Sequence, residues 1–293
     1  MSHTALLGLL AETSIHAGAG QMATAIDLPI QREAHTGWPV IFGSAVKGAL
    51  RARAEEQKVD WLFSVFGPDV GNAHEHAGAL LVGDARLLLL PVRSLTGHFK
   101  WVTCPALLKR FAADAKRLEL TAFSIDLPFD LLADDTVLLP QLTKTHVLYL
   151  EEFQFNTAER DFSAIIPVLA KLMGRDDAEA ILNKQLVLVN DDRFNHLAQF
   201  ATPVNPHICI DNATKTVKPG ALWYEETLPP DTLLYVALHA QSARMKGSNQ
   251  SAAEVLKHVT TELFQRPYLQ LGGNETVGMG WCKVSIQTVT GKE

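Results

Sequence analysis

The sequence predicts an α+β fold, a ferredoxin-like core carrying large insertions and a projecting β-hairpin. Apolar runs of strand length and amphipathic helical segments follow one another in the order strand, helix, strands, helix, strand. Two extended runs, "HICID" and "ALWYEET", flank the turn-rich "NATKTVKPG" and read as a long hairpin within residues 200–230. With 293 residues and 47% hydrophobic content, the chain can bury a sizeable core, and 1–293 reads as a single domain.

Taken in order, Leu6 to His16 reads as a strand, followed by the glycine-rich loop "AGAGQ". Next comes "IDLPIQRE", Ile26 to Glu33, in which one carboxylate, Asp27, sits in a turn-prone stretch ahead of a basic-acidic pair. Ser44 is placed to N-cap the helix "SAVKGALRARAEEQ", where Val46, Ala49 and Leu50 form an apolar side. Lys47 and Arg51, at i, i+4, stack two cations on another side of it. "GALLVGDARLLLLPVRS" is extended, and Pro105 then opens "PALLKRFAADAKRL". Its Leu107, Leu108, Phe111, Ala112, Ala115 and Leu118 keep helical period, so this helix should pack on a sheet.

Residues 119–195 mix short apolar runs with charge and show no repeat, so they read as an insertion elaborating the core. "TLLYVALHA" is apolar almost throughout, as a central strand covered on both faces would be. "SAAEVLKHVTTELFQR" opens with a capping box, Ser251 and Glu254, and stops at Pro267. "KVSIQTV" closes the fold as a strand with Val284 and Ile286 on one face.

The bulk numbers exclude several classes. A formal charge of −6 gives no global positive field, so any polyanion must meet a local basic patch. Cys104, Cys209 and Cys282 form no C-x-x-C pair, which argues against a zinc ribbon or a disulfide framework and fits a reducing cytoplasm. "MSHTALLGLLAETS" has no basic n-region and meets Glu12, so it reads as a strand and not a signal peptide. "ALLVGDARLLLLPV" is too short for a bilayer and is broken by Asp84 and Arg86. A soluble protein without a membrane partner is expected.

Several motifs have a functional and a bland reading. "LGGNETVGMGW" carries Gly272, Gly273, Gly278 and Gly280 around Asn274, a density that lets backbone approach a phosphate or another chain, or simply makes a tight connection. It is neither a Walker A loop nor a dinucleotide fingerprint, since it leads into a strand. "FGSAVKGALR" sets Gly43 and Ser44 at a helix start with Lys47 one turn in, which suits an anion or a solvated cationic face. Gly48 costs that helix about 1 kcal/mol relative to Ala, which suggests close approach of a partner. Ser44 and Lys47 also spell S-x-x-K, but the partner motifs S-D-N and K-T-G are absent. "HEH", His74 to His76, lacks a third metal ligand at a known spacing and reads as a surface loop. His16 faces the loop that leads to Asp27, and spacing alone leaves Asp27 as a turn-former, a metal ligand or a catalytic group.

Five ordered blocks, "HAGAGQ", "IDLPIQREAHTGWPVIFGSAVKGALR", "GDARLLLLPVRSLTGHFKWVTCP", "GALWYEETLPP" and "LGGNETVGMGW", together resemble the backbone RAMP proteins of type III-B CRISPR effectors, the Cmr complexes. The resemblance runs from near one end of the chain to near the other and is least distinctive in the centre. It implies an RRM-like core with a thumb hairpin, copies of which stack along a guide crRNA as a filament with other effector subunits. It also implies cleavage of complementary single-stranded target RNA at regular intervals in a reaction that needs a divalent cation, Mg or Mn. The aspartate required for cutting matches Asp27, which would also be the metal ligand, and His16 and Glu226 match assisting positions. Lys47, Arg51, Ser44 and Gly43 would meet the guide backbone, with Gly272, Gly273, Asn274 and Gly278 close to the same strand. His207 departs from the arginine common at its position, and the acidic net charge is a second departure. A non-catalytic guide-binding scaffold is the alternative, and an unrelated small-molecule enzyme using Ser44 and Lys47 a third reading.

Overall fold

The structure, a computed structural model, describes residues 3–23, 25–120, 123, 133–142 and 146–288. In chain order its elements are β1 (Thr4–Ala11), β2 (Val40–Ile41), α1 (Gly43–Glu56), α2 (Leu62–Phe66), β3 (Leu80–Val82), β4 (Ala85–Ser94), β5 (His98–Thr103) and α3 (Pro105–Arg117). The middle holds β6 (Thr136–Leu139), β7 (Val147–Leu150), β8 (Phe153–Glu159), α4 (Ile166–Met173), α5 (Ala178–Gln185), β9 (Leu186–Leu188) and α6 (Asp191–Phe200). Then come β10 (Val204–Ile210), β11 (Val217–Glu226), β12 (Leu233–Ala240), α7 (Ala252–Lys257), β13 (Tyr268–Gln270) and β14 (Trp281–Thr288). The fold is α+β, dominated by one large sheet.

Every residue of β1 is buried, because β1 lies between β12 and β14 in a sheet covered on both faces. The described strands run β13-β14-β1-β12-β4-β5-β9-β6-β8-β7, with β2 on β4 and β3 on β12. Alternation along β1 sends Leu7 and Leu9 to one core and Leu6 and Leu10 to the other. The first core takes Val46 and Leu50 of α1, Phe194 and Leu197 of α6, and Val255 of α7. The second takes Leu108 and Phe111 of α3, Leu169 and Leu172 of α4, and Leu182 of α5. β12 is a covered central strand and α3 packs on the sheet, both as its sequence pattern requires.

Some elements differ from their sequence pattern. The first strand stops at Ala11 and not at His16, since beyond it Ile15 pairs only with Leu228 as an isolated bridge. Ser44 does not cap α1: the helix starts at Gly43 behind Phe42, and the Gly43 N–H donates to Asp84 Oδ1 at 2.7 Å. The Ser251–Glu254 capping box forms, but α7 gives way at His258 to a π-helical turn through Glu262. Of the closing strand, Val289 lies outside the described residues.

Part of 119–195 lies outside the described residues as well, and the rest contributes β6 to β9 to the main sheet. It extends the main sheet and curls back on it, with the Glu151 N–H donating to the Arg93 carbonyl at 3.0 Å and Ser94 Oγ to the Tyr149 carbonyl at 2.6 Å. Its helix α4 also presses on β1 at Gly8. A Cβ there would lie 2.1 Å from the Leu172 carbonyl oxygen, which accepts from Ser285 Oγ at 2.7 Å. Gly8→Ala therefore overpacks the centre of the sheet at about 1–3 kcal/mol. A lower melting temperature by calorimetry is the expected result, and an unchanged one would show that α4 is free to shift.

Candidate active site

Residues 17–31 fold back on themselves so that their tip presents Asp27. The Ala19 N–H donates to the Pro29 carbonyl at 2.9 Å, and the Gln31 N–H donates to the Ala17 carbonyl at 2.8 Å. The tip docks on β11: the Leu28 N–H reaches the Tyr224 carbonyl at 3.1 Å, and the Glu226 N–H reaches the Leu28 carbonyl at 3.0 Å. Asp27 Oδ2 accepts the Tyr224 N–H at 2.8 Å, and among the described residues Oδ1 has no hydrogen-bond partner. The half-buried carboxylate opens on a groove of ≈ 640 Å³ between the loop and β11. Among the described residues its lining includes Met22, Leu28, Leu222 and Trp223 and no Lys, Arg or His.

The "RE" of "IQRE" is consumed by ion pairs. Arg32 donates to Glu226 Oε1 at 2.5 Å and to the carbonyls of Gly37 at 2.7 Å and Ala198 at 2.8 Å. Glu226 is buried and also accepts from Thr202 Oγ1 at 2.6 Å and the Ile30 N–H at 3.1 Å. Its carboxylate thus faces Arg32 and takes three donors, a geometry that holds the loop in place. Glu33 takes Arg110 at 2.6 Å and 2.9 Å, and that guanidinium sits 5.2 Å over the Trp38 ring.

His16 comes to the same strand. Its Nδ1 lies 2.8 Å from the Glu226 carbonyl oxygen, so Nδ1 carries the proton and Nε2 is left as the acceptor. Nδ1 also lies 3.6 Å from Glu225 Oε1, and that buried carboxylate accepts from Asn274 Nδ2. The glycine-rich turn packs on the His16 backbone, with the Gly273 N–H donating to the His16 carbonyl at 2.8 Å. Gly272 has φ +87°, and a Cβ on it would fall 2.4 Å from that oxygen. Glu225 and Gln31 escape the sequence reading, because nothing in their spacing marks them. Gln31 accepts the Phe42 N–H at 2.8 Å and donates to the Gly18 carbonyl at 3.1 Å, linking the loop to the start of α1.

The α1 residues form a separate group. Lys47 Nζ donates to the Leu80 carbonyl at 3.0 Å, away from any S-x-x-K chemistry, and burial, then Arg51, lowers its pKa. Arg51 braces the turn after α2 through the Gly67 carbonyl at 2.8 Å and Asp69 at 2.7 Å, besides Glu55 at 2.7 Å. Gly43 is buried, with room for no Cβ beside the Val82 carbonyl at 2.6 Å. Ser44 and Gly48 are exposed, and nothing stands within 4 Å of a Cβ built on Gly48. Gly278 sits at φ +85° beside the exposed Val277, at the outer end of the glycine turn. His74 and Glu75 are exposed, and His76 is half-buried with its Nε2 3.1 Å from the Phe63 carbonyl oxygen.

No group of three or more His, Cys, Asp or Glu among the described residues is placed to hold a metal ion. An all-protein metal cage therefore does not fit here. Asp27 fits the sparser way in which Mg²⁺ binds, through one or two carboxylates together with water and substrate phosphate.

The sequence model of the RAMP superfamily matches residues 9–283, and the chain belongs to that superfamily. It is 36% identical over 294 residues to the CRISPR system Cmr endoribonuclease Cmr4 of Pyrococcus furiosus, covering 97% of this chain and 96% of that one. The crystal structure of oligomeric Cmr4 from the same organism superposes with a TM-score of 0.73 at 30% identity, covering 98% of this chain and 99% of that one. A chain of the type III-B Cmr-beta complex bound to cognate target RNA shares the fold, with a TM-score of 0.72 at 22% identity over 97% and 96% of the two chains.

Arg32→Ala leaves Glu226 buried without its cation and should destabilise the protein by about 3–5 kcal/mol, read from urea unfolding. Replacing Arg32 and Glu226 together by apolar residues should recover much of that loss. A double variant as unstable as the single one would mean that packing, and not charge, is what Arg32 supplies.

Proposed function

We propose that this chain is a backbone subunit of a type III-B CRISPR effector that binds guide RNA as a repeated filament and cleaves the paired target RNA at Asp27. The placement of Asp27 carries this reading: a carboxylate with one oxygen fixed by the Tyr224 N–H and the other turned to an open groove, on a loop docked beside His16. Support comes from the similarity to the endoribonuclease of the Cmr system over 97% of the chain. Further copies of the chain, other effector subunits, guide crRNA and target RNA are the partners, and the cytoplasm is the compartment. None of the described helices is long and apolar enough to cross a membrane.

The strand order β14-β1-β12-β4, with α1 and α7 on one face, is how a ferredoxin-like core would be ordered, and we read it as the RRM-like centre of a single domain spanning 1–293. Residues 119–195 are an insertion on that centre, and β10 with β11 is the thumb within 200–230. The thumb's apolar side chains, among them Ile208, Ile210, Leu222 and Tyr224, are exposed, which suits insertion against RNA and the next copy. On α1 the guide backbone would lie along the exposed Ser44–Gly48 side, with Lys47 and Arg51 behind it. The Gly272–Gly278 turn would approach from the His16 side.

The reaction that suits these groups is internal transesterification, in which the ribose 2′-oxygen bonds to phosphorus and the P–O5′ bond breaks. The 2′-hydroxyl gives up a proton and the 5′-oxygen gains one, leaving a cyclic phosphate and a 5′-hydroxyl. Among the described residues the groove's lining supplies no cation, so a phosphate brought to Asp27 calls for a divalent ion, which Asp27 would hold and which would stabilise the charge developing on phosphorus. Tyr224 fixes the carboxylate, and Nε2 of His16 would be the group that exchanges a proton. The anchoring residues of these two groups, Tyr224 and Glu226, are two strand positions apart, about 7 Å between Cα atoms.

Labelled target RNA in the assembled complex tests this. Regularly spaced cuts by the wild type should vanish in Asp27→Ala and with chelator, while guide binding stays intact. Unchanged cutting by Asp27→Ala would move the chemistry elsewhere, and tight RNA binding without cutting by the wild type would leave a scaffold.

A further inference from the structure

We propose that the Gln31 side chain is a positioning residue that sets the Asp27 loop against helix α1 and so fixes which phosphodiester bond meets Asp27; this rests on the nuclease reading above. Gln31 ends the return limb of the loop, and its backbone is tied on both sides. Its N–H donates to the Ala17 carbonyl at 2.8 Å, and its carbonyl accepts the Val40 N–H at 3.1 Å. The half-buried side chain therefore leaves from a fixed point. Its Nε2 donates to the Gly18 carbonyl at 3.1 Å, across the loop, and its Oε1 accepts the Phe42 N–H at 2.8 Å. One partner is a carbonyl and the other an N–H, so a single orientation of the amide satisfies both.

Each partner is a structural reference point. Gly18 stands opposite Ile30 as an isolated bridge, and the next rung outward is the Ala19 N–H on the Pro29 carbonyl at 2.9 Å. Holding Gly18 thus holds the two limbs that carry Asp27 at their tip. Phe42 is the residue before α1, and its carbonyl accepts the Ala45 and Val46 N–H groups at 2.8 Å and 3.1 Å. Gln31 and Asp84 supply the acceptors for the first two N–H groups at that end of the helix. A shift of the loop against α1 breaks one of these bonds and leaves a backbone group unpaired.

The loop's bonds to β11 give a different reference, since they place Asp27 against a two-stranded ribbon, which is marginally stable by itself. Helix α1 is seated in the first core through Val46 and Leu50. With the guide along α1 and the target paired to it, the position of each target phosphate follows α1. Reacting atoms must come within about 3–3.5 Å, and a misplacement of about 1 Å can cost about 100-fold in rate. Gln31 is the short path, one amide long, from the start of α1 to the limbs that carry Asp27. Cuts at equal intervals then require the same amide geometry in every copy.

The test uses the assembled complex. Gln31→Met keeps the side chain's length and removes both bonds, whereas Gln31→Glu keeps an acceptor for the Phe42 N–H and loses the donor to Gly18. Under single-turnover conditions Gln31→Met should slow cutting about 10- to 100-fold and spread the cuts onto neighbouring bonds, with guide protection and target affinity at wild-type levels. Amides of residues 17–31 should exchange faster with solvent deuterium, and those of β1 and α3 should keep their rates. Gln31→Glu should cut slowly at the wild-type positions. Wild-type rate and positions in an assembled Gln31→Met complex would overturn the link, as would a loss of cutting matched by an equal loss of guide protection. Faster exchange of 17–31 in Gln31→Met, together with wild-type cutting by Asp27→Ala, keeps the link and removes the catalytic reading of Asp27.

Discussion

Glu226 and Arg32 form the contact around which the candidate site is arranged. A buried carboxylate is tolerable only with a full set of donors, and here a guanidinium, a hydroxyl and a backbone N–H provide them. Two of the donors come from the end of the Asp27 loop and one from the segment after α6, so the requirement for neutrality joins the base of β11, the Asp27 loop and the end of α6. The backbone of Glu226 does the rest. Its N–H receives the loop at Leu28 and its carbonyl receives His16, so one residue fixes the relative placement of Asp27 and His16.

Against that background Asp27 differs from the other carboxylates near it. Glu33 meets Arg110, Glu226 meets Arg32 and Asp114 meets Arg86, whereas Asp27, like Asp84, takes a backbone N–H on one oxygen. Unlike Asp84, Asp27 stands on the wall of a groove. Glycine makes the surroundings possible, since Gly272 must take a positive φ and approach the His16 carbonyl closer than any side chain allows.

The sequence was legible where one physical rule decides the outcome. Apolar period placed α3, Pro105 its start, unbroken hydrophobicity the central strand β12, and Ser251 with Glu254 the start of α7. It failed where tertiary contacts decide. Ser44 looks like a cap, but Asp84, forty residues away by sequence, reaches the helix first. Asp27 and His16 could be named only through resemblance. Which of Glu225 and Glu226 faces His16 depends on strand alternation at the foot of the hairpin, and neighbouring glutamates look alike in a sequence. Alternation sends one side chain to Asn274 and the other to Arg32.

The internal use of cations bears on how an acidic chain could hold RNA. Arg32, Arg51, Arg86 and Arg110 are all committed to carboxylates, and Lys47 is committed to a backbone carbonyl. That commitment reduces the salt-dependent, sequence-independent term that dominates most nucleic-acid affinity, to which the exposed Lys215 and Lys218 of the hairpin would still add. Beside it stands contact that does not depend on charge: exposed helix backbone at Gly48, glycine turns, and the apolar and aromatic faces of the hairpin. Such contacts are individually weak. In a filament they recur with every copy along one RNA, so affinity would grow by multivalency while each copy keeps an unneutralised Asp27 at its groove. A strongly basic surface would grip RNA from a single chain, but it would also pair with Asp27 and quench the carboxylate on which the proposed chemistry depends.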